Sequence, residues 1–300
     1  MFRIKQDELE LLADRRRRLP VVDPANRELI ISCGAALGSI ETALHNFGYQ
    51  GDIDLLPDSA HPELLARIRL GEPRDPAPLD HAMFQALHTR RTYRLPFLSR
   101  VLEPELMAEM ETIAEGYGVY FSIVQQDSQR MALAELIGEG DRQQMADPAF
   151  RQELAAWLHP SRTKSRDGMP GWAQGLGTAQ SLVLPLVVRT FDTGQGRAAH
   201  DHELALGSPL LAVMGSYSDQ ATDWLQTGRA LMHLLLRAEV EGVAASYLNQ
   251  PVEVPQLRQQ LGALIGITGF PQLILRMGYR LGEERHTPRR DVADAVERAV

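Results

Sequence analysis

One cysteine stands among the 300 residues. Cys33 cannot form an internal disulfide, so the fold does not rest on a disulfide framework, and a lone thiol fits a reducing compartment. No uncharged apolar run reaches the ~18 residues that a membrane-spanning helix needs, and the longest candidate, Gly207 to Tyr217, falls well short. The opening Met1-Phe2-Arg3-Ile4-Lys5-Gln6-Asp7-Glu8 is charged and lacks the apolar centre of a secretory signal. These absences predict a cytoplasmic protein without membrane contact. Positive charge is in deficit: 31 Lys and Arg against 39 Asp and Glu leave a net −8, which argues against nucleic acid as a partner. Nucleophile-elbow, phosphate-loop and zinc-helix motifs are also missing, since no G-x-S-x-G, G-x-x-x-x-G-K-[ST] or H-E-x-x-H occurs.

What is present is ordinary for a globular chain, with 44% apolar and 23% charged residues. A chain of this length buries about three quarters of its unfolded surface and holds itself together without metal or disulfide. Periodicity and punctuation place a strand at Glu8–Ala13 and a helix starting at Asp23-Pro24, with Leu29, Cys33, Leu37, Ile40, Leu44 and Phe47 on one face and its end near Gly48. Further strands are predicted at Asp52–Leu56, Val119–Val124, Leu210–Ser216, Ala244–Leu248 and Gln272–Tyr279. Helices are predicted from Asp80 towards Arg91, from Pro104 to Gly116, through Leu231, Leu234, Leu235 and Ala238 to Gly242, and onward from Pro255. The stretch from Asp127 to Gly177 is broken by many Gly and Pro residues and reads as a lid or binding segment.

An internal similarity links two of the helices. Gly34-Ala35-Ala36-Leu37 lies 14 residues before Gly48, and Gly228-Arg229-Ala230-Leu231 lies 14 residues before Gly242, each with an aspartate upstream (Asp23; Asp219 or Asp223). Small residues at one helix position let two backbones approach closely. This predicts a duplicated half-domain with a central helix pair, two unrelated amphipathic helices being the alternative.

Few residues offer chemistry. Cys33 sits on the apolar helix face, where a small core residue is expected. His200-Asp201-His202-Glu203 reads as a polar loop, where alternating residues rarely converge on one ion, and does not suggest a zinc site. Arg15 to Arg18 reads as a solvated turn, with a role near an anionic ligand as the second possibility. The informative segment is Leu87-His88-Thr89-Arg90-Arg91-Thr92-Tyr93-Arg94-Leu95-Pro96-Phe97, which packs three arginines and two threonines into six positions where a helix gives way to extended chain. Guanidinium forks and hydroxyls suit phosphate oxygens, and two or three arginines neutralise one monoester. Pro288-Arg289-Arg290 adds a second basic pair. The alternative is a charged helix end satisfied by its dipole and by water.

Arg90-Arg91-Thr92-x-Arg94-x-x-Phe97 resembles the Arg-Arg-Ser/Thr-x-Arg-x-Phe motif of the FMN-dependent nitroreductase family. Other blocks resemble its Acg-type branch, in which two nitroreductase halves are fused. Among them are Cys33-Gly34-Ala35-Ala36-Leu37, Arg166-Asp167-Gly168-Met169-Pro170, Asp223-Trp224-Leu225-x-x-Gly228, Ser246-Tyr247-Leu248-Asn249-Gln250-Pro251, Arg276-Met277-Gly278-Tyr279 and Thr287-Pro288-Arg289-Arg290. The resemblance runs in order along essentially the whole chain. It implies an α+β, nitroreductase-like fold of two similar halves, residues 1–80 and residues 81–300, with mostly antiparallel central sheets, paired long helices and a lid at about 127–206. It further implies that Arg90, Arg91, Thr92 and Arg94 hold the phosphate and ribityl chain of FMN, and that Arg290 and Arg289 close on the phosphate. By the same resemblance, backbone amides of Asn249 and Gln250 face the flavin N5 and O4, and Arg166 to Gly177 lies above the ring. No metal and no catalytic acid or base is implied, because the flavin carries the chemistry.

The Pro-Ser-x-His-Asn-x-Gln-Pro-Trp motif normally found ahead of the first strand in Acg-type chains is not present in this sequence, so the first half is expected to be shortened. The expected activity is an oxidoreductase passing electrons from NAD(P)H through FMN to a nitro- or quinone-type small molecule. A non-catalytic flavin-storing protein and a cofactor-free scaffold are the alternatives. The expected assembly is a monomer, through its internal pseudo-dimer, or a homodimer.

Overall fold

The computed structural model describes residues 1–282 and 286–298. The first half opens with β1 (Phe2–Lys5) and β2 (Glu8–Leu12), turns through a short 3-10 segment at Arg15–Arg17, and enters the long helix α1 (Arg27–Asn46). Strands β3 (Tyr49–Leu55) and β4 (Leu64–Pro73) follow, and α2 (Pro78–Thr89) leads towards the second half. That half contains α3 (Pro104–Gly116), β5 (Val119–Ile123), α4 (Asp127–Ala146), α5 (Pro148–Trp157), the small strands β6 (Leu158–His159) and β7 (Met169–Pro170), α6 (Thr178–Thr190) and α7 (Gly194–Leu206). It ends with β8 (Leu210–Ser216), α8 (Ala221–Val240), β9 (Val243–Tyr247), α9 (Gln250–Glu253), α10 (Pro255–Ile265), β10 (Phe270–Tyr279) and β11 (Val296–Arg298).

Both halves build the same sheet. In the first the order is β1-β2-β4-β3, in the second β5-β8-β10-β9, and every one of these pairings is antiparallel. In each half a long helix, α1 or α8, connects the second strand to the outermost one. The duplication suggested by the two Gly-x-Ala-Leu helices is therefore a duplication of the whole sheet-and-helix unit. The terminal glycines do the same work in both halves: Gly48 at φ +81° and Gly242 at φ +74° turn the chain from helix into strand in a conformation that side chains disfavour. One strand breaks the symmetry. β11 runs parallel beside β1, with Phe2 opposite Val296 and Ile4 opposite Arg298, so the C-terminal segment completes the first half's sheet.

The helix pair forms the centre of the molecule. A methyl group on Gly228 would meet the Ile31 carbonyl oxygen at 1.9 Å, and one on Gly34 the Leu225 carbonyl oxygen at 2.2 Å. Around this crossing Arg229 is bonded to Glu41 (2.9 and 2.5 Å), and the His233 ring lies between the Gly38 carbonyl (3.1 Å) and the Tyr117 hydroxyl (2.6 Å). Burial keeps the His233 pKa below its ordinary value. Every residue of β8 is buried because helices cover both faces. Leu210, Ala212 and Met214 join the cluster with α3 and α8, whereas Leu211 and Val213 join the one with α4, the two-residue alternation of a strand.

Three local expectations change. Asp23-Pro24 does not begin α1 directly: Asn26, at φ +57°, stands before Arg27, and Asp23 caps from a turn further back by accepting from the Leu29 amide (2.9 Å). Residues 127–146 are a core helix rather than part of a lid, with Leu133 and Ile137 fully buried. Its glycines are contact points, since a Cβ on Gly140 would lie 2.6 Å from the Gln250 Cβ. The irregular stretch is confined to the residues between α5 and α6. His200 to Glu203 belong to α7, where alternate residues diverge, and no metal-holding cluster exists among the described residues.

Candidate functional site

The basic segment is held open by the protein beneath it. α2 ends at Thr89, and Arg90 is already extended (φ −59°, ψ 133°). The chain then runs beside the second sheet, where the Tyr93 amide donates to the Ala245 carbonyl and the Leu98 amide to the Tyr279 carbonyl (2.9 Å each). Side chains alternate along an extended run. Tyr93 and Phe97 point into the protein and stack at 5.5 Å, leaving Arg90, Thr92 and Arg94 on the opposite side.

Under the segment lies Arg276 of β10, only 1% exposed. Its guanidinium donates to the carbonyls of Leu95 and Tyr93 (3.2 Å each) and sits 4.7 Å from the centre of the Phe97 ring. A charge buried this deeply needs several donors satisfied, and here both terminal nitrogens help to fix the backbone that carries the arginines.

A cavity of about 270 Å³ opens above the segment. Its walls bring together Arg90, Arg91, Thr92 and Arg94 with Thr287 and Arg289, and with Gly168 to Pro170, Trp172 and Ala173 on the far side. Among the described residues no acidic side chain lines it. Arg91 Nη1 donates to His286 Nε2 (2.6 Å), and Arg289 donates to the Thr287 carbonyl and hydroxyl (3.2 Å each). Burial raises the pKa of the Tyr247 hydroxyl, and the charges of Arg90 and Arg94 draw it partly back. Tyr247 therefore remains a neutral donor close to the arginines.

The segment between α5 and α6 covers this cavity and is fastened at two adjacent residues. Arg17 donates to Asp167 (2.6 Å), and Arg166 pairs with Asp291. A hydrogen bond from Ser165 (2.5 Å), with the Arg17 contact, holds the Asp167 carboxyl below the usual carboxylate range.

Of the residues expected to hold a ligand, Arg90, Arg91, Thr92, Arg94 and Arg289 surround this one cavity. Arg290 is half-buried and not among the lining residues. Asn249 and Gln250, expected to act through their backbone amides, are not among the lining residues; of their side chains, Asn249 Oδ1 accepts from the Ile274 amide (3.0 Å), and Gln250 donates to Asp141 (3.2 Å) and Asp201 (2.8 Å). Sequence reasoning gave no role to Arg276, Tyr247 or Thr287. An arginine inside the otherwise apolar run Leu273–Met277 was the available signal for the first.

A larger cavity, about 770 Å³, lies near the start of α1 and α10. Its charged groups are committed to one another: Arg258 grips Asp219 with two nitrogens (2.8 and 3.0 Å), and Arg27 bonds Gln272 and Glu28. Burial, reinforced by the Glu253 carboxyl and opposed by Arg27, pushes the Glu28 pKa up to about 8.

No family model matches the chain. It is similar, at 28% identity over 302 residues, to a Mycobacterium tuberculosis protein provisionally named NAD(P)H nitroreductase Rv3131, covering 99% of this chain and 85% of that one. The provisionally named NAD(P)H nitroreductase acg of the same organism is 26% identical over 292 residues, covering 94% and 84%. Among solved structures, the FMN-dependent nitroreductase NfnB from Mycobacterium smegmatis in complex with NADPH aligns at TM-score 0.47 and 15% identity, over 73% of this chain and 98% of that one. Two similar α+β halves joined through paired helices define the class. The chain resembles the Acg-type proteins over nearly its whole length.

Proposed function

We propose that the chain is an FMN-using oxidoreductase of the nitroreductase type, with NAD(P)H as donor and a nitro- or quinone-type molecule as acceptor. The observation that carries this reading is the cavity where Arg90, Arg91, Arg94 and Arg289 meet two threonine hydroxyls, with no carboxylate among the described lining residues. That donor set fits the phosphate end of FMN, because a monoester near −2 is neutralised by guanidinium forks and its remaining lone pairs are taken by hydroxyls. The names of the relatives point the same way.

When bound, the flavin supplies the hydride and electron chemistry. The protein's part is to bind and to shield. Arg90 and Arg94 anchor the phosphate, Thr92 supplies a neutral donor beside them, and Arg276 keeps the segment's backbone in place. The segment from Gly168 to Ala173 keeps water from one side of the cavity. No side chain is required to take or give a proton.

The test is the visible spectrum of the purified protein, followed by FMN titration. One flavin per chain is expected, and Arg90→Ala or Arg94→Ala should each weaken binding by roughly 1.5–3 kcal/mol, the scale of a charge-assisted contact. Unchanged affinity in both variants overturns the assignment. Bleaching of the bound flavin by NAD(P)H separates an enzyme from a flavin store.

A further inference from the structure

We propose that the arginines of the 3-10 turn and the basic side chains of the covering segment form a docking rim for the phosphates of the dinucleotide donor, and that this rim selects NADPH over NADH. The inference rests on the oxidoreductase reading above for the donor's identity, and on separate residues for its binding.

The Arg17–Asp167 contact places residues 14–18 beside residues 162–167, immediately before the Gly168 and Met169 that wall the arginine cavity. These two short stretches hold seven cationic side chains and two carboxylates, a surplus of five on a chain whose net charge is −8. The carboxylates are already used: Asp14 by Arg16 (2.8 Å) and Asp167 by Arg17. Arg166 is taken by Asp291. Arg15, Arg18, Arg162 and Lys164 are exposed, and none of the four has a side-chain ion pair or hydrogen bond among the described residues. One exposed arginine is satisfied by water. Four unpaired cations around one edge create a positive field that concentrates anions where the rest of the surface repels them.

Charge decides between the two donors. The pyrophosphate of NADH carries about two negative charges, whereas the 2′-phosphate of NADPH adds another 1.5 to 2, roughly matching four unpaired cations. A monoester also offers three charged oxygens to guanidinium forks, whereas a ribose hydroxyl offers one neutral acceptor oxygen. The arginines of the cavity are spent on the flavin phosphate in the proposed reading, so the rim is a second, independent anion site.

The probes are NADP⁺ and NAD⁺, which differ only by the 2′-phosphate and do not reduce a flavin. Calorimetric titration is expected to show NADP⁺ binding about tenfold or more tightly than NAD⁺ at low salt, with the gap closing as ionic strength rises. The double variants Arg15→Ala/Arg18→Ala and Arg162→Ala/Lys164→Ala should each weaken NADP⁺ roughly fivefold or more and NAD⁺ less than about twofold. Equal affinity for the two nucleotides, double variants that bind NADP⁺ like the unsubstituted chain, or inorganic pyrophosphate competing as well as NADP⁺ would each overturn the rim. FMN titration of the unsubstituted chain judges the cofactor reading separately: its failure sinks that reading, while the NADP⁺ to NAD⁺ ratio still decides the rim.

Discussion

Gly228 on α8 lies against Gly34 on α1 with no room for a methyl group between them: a Cβ on Gly228 would stand 2.8 Å from the Gly34 Cα. Neither neighbour is a movable side-chain end; both are backbone of the partner helix. Gly228→Ala should force the helices apart and cost about 3 kcal/mol or more, above the usual range for an overpacked core because nothing can rotate away. Gly116→Ala, at a helical position with open space around it, should leave stability almost unchanged. Thermal unfolding of the two variants checks the pair; equal melting temperatures would mean the crossing is looser than described.

Arg276 links the second sheet to the ligand-facing segment. Arg276→Met keeps much of the volume and removes the donors to Tyr93 and Leu95. The expected loss is about 2–4 kcal/mol of stability, from carbonyls left without partners. FMN affinity should fall as well, because Arg276 holds the backbone of the segment that carries the arginines. A variant with lower melting temperature and undiminished FMN affinity would confine Arg276 to a structural role.

Glu28 gives the molecule an alkaline weakness. Its carboxyl has a folded-state pKa of about 8 against an ordinary 4.5, so the folded state favours the protonated form. Stability from this group is full below about pH 4.5 and declines as pH rises towards about 8. Glu28→Gln keeps an acceptor for Arg27 and cannot ionise. It should flatten the pH profile between those limits and stabilise the protein by on the order of 1–2 kcal/mol near pH 8, part of the effect remaining with Glu253. Denaturation at pH 5 and pH 8 measures it, and parallel profiles for the two proteins would refute it.

The Arg17–Asp167 contact is half-exposed, so Asp167→Asn should change global stability by less than about 1 kcal/mol. Its effect should be local. Trypsin should cut after Arg162, Lys164 or Arg166 several-fold faster once the covering segment loses that tether. An unchanged digestion rate would show that Asp291, through Arg166, holds the segment alone.

Much of this architecture is legible in the sequence, and the failures have definite causes. β8 and α3 coincide with their expected limits because unbroken apolar runs and proline starts are local signals. The duplication is visible in two glycine-bearing helices because close packing leaves a residue-level trace. β4 escapes notice: Arg67 and Arg69 alternate with Ala66, Ile68 and Leu70, and their charge is balanced by Glu8 and Glu10 on the neighbouring strand, far away in sequence. α4 reads as irregular because Gly138 and Gly140 are counted as breakers, whereas they exist to admit α7 and α9. The arginine segment is conspicuous by composition. The buried arginine that fixes it is not, since its purpose depends on carbonyls more than 180 residues earlier.

The pairing of β11 with β1 has a consequence for how the chain is made. Arg3 and Glu297 bond across 294 positions, so the outer edge of the first sheet has no neighbour until residues 296–298 have left the ribosome. During that interval β1 offers unpaired amides and carbonyls to any extended segment it meets, including the same strand on a neighbouring nascent chain. Slow synthesis through the second half lengthens that exposure, and assembly between chains at this edge competes with the chain closing upon itself.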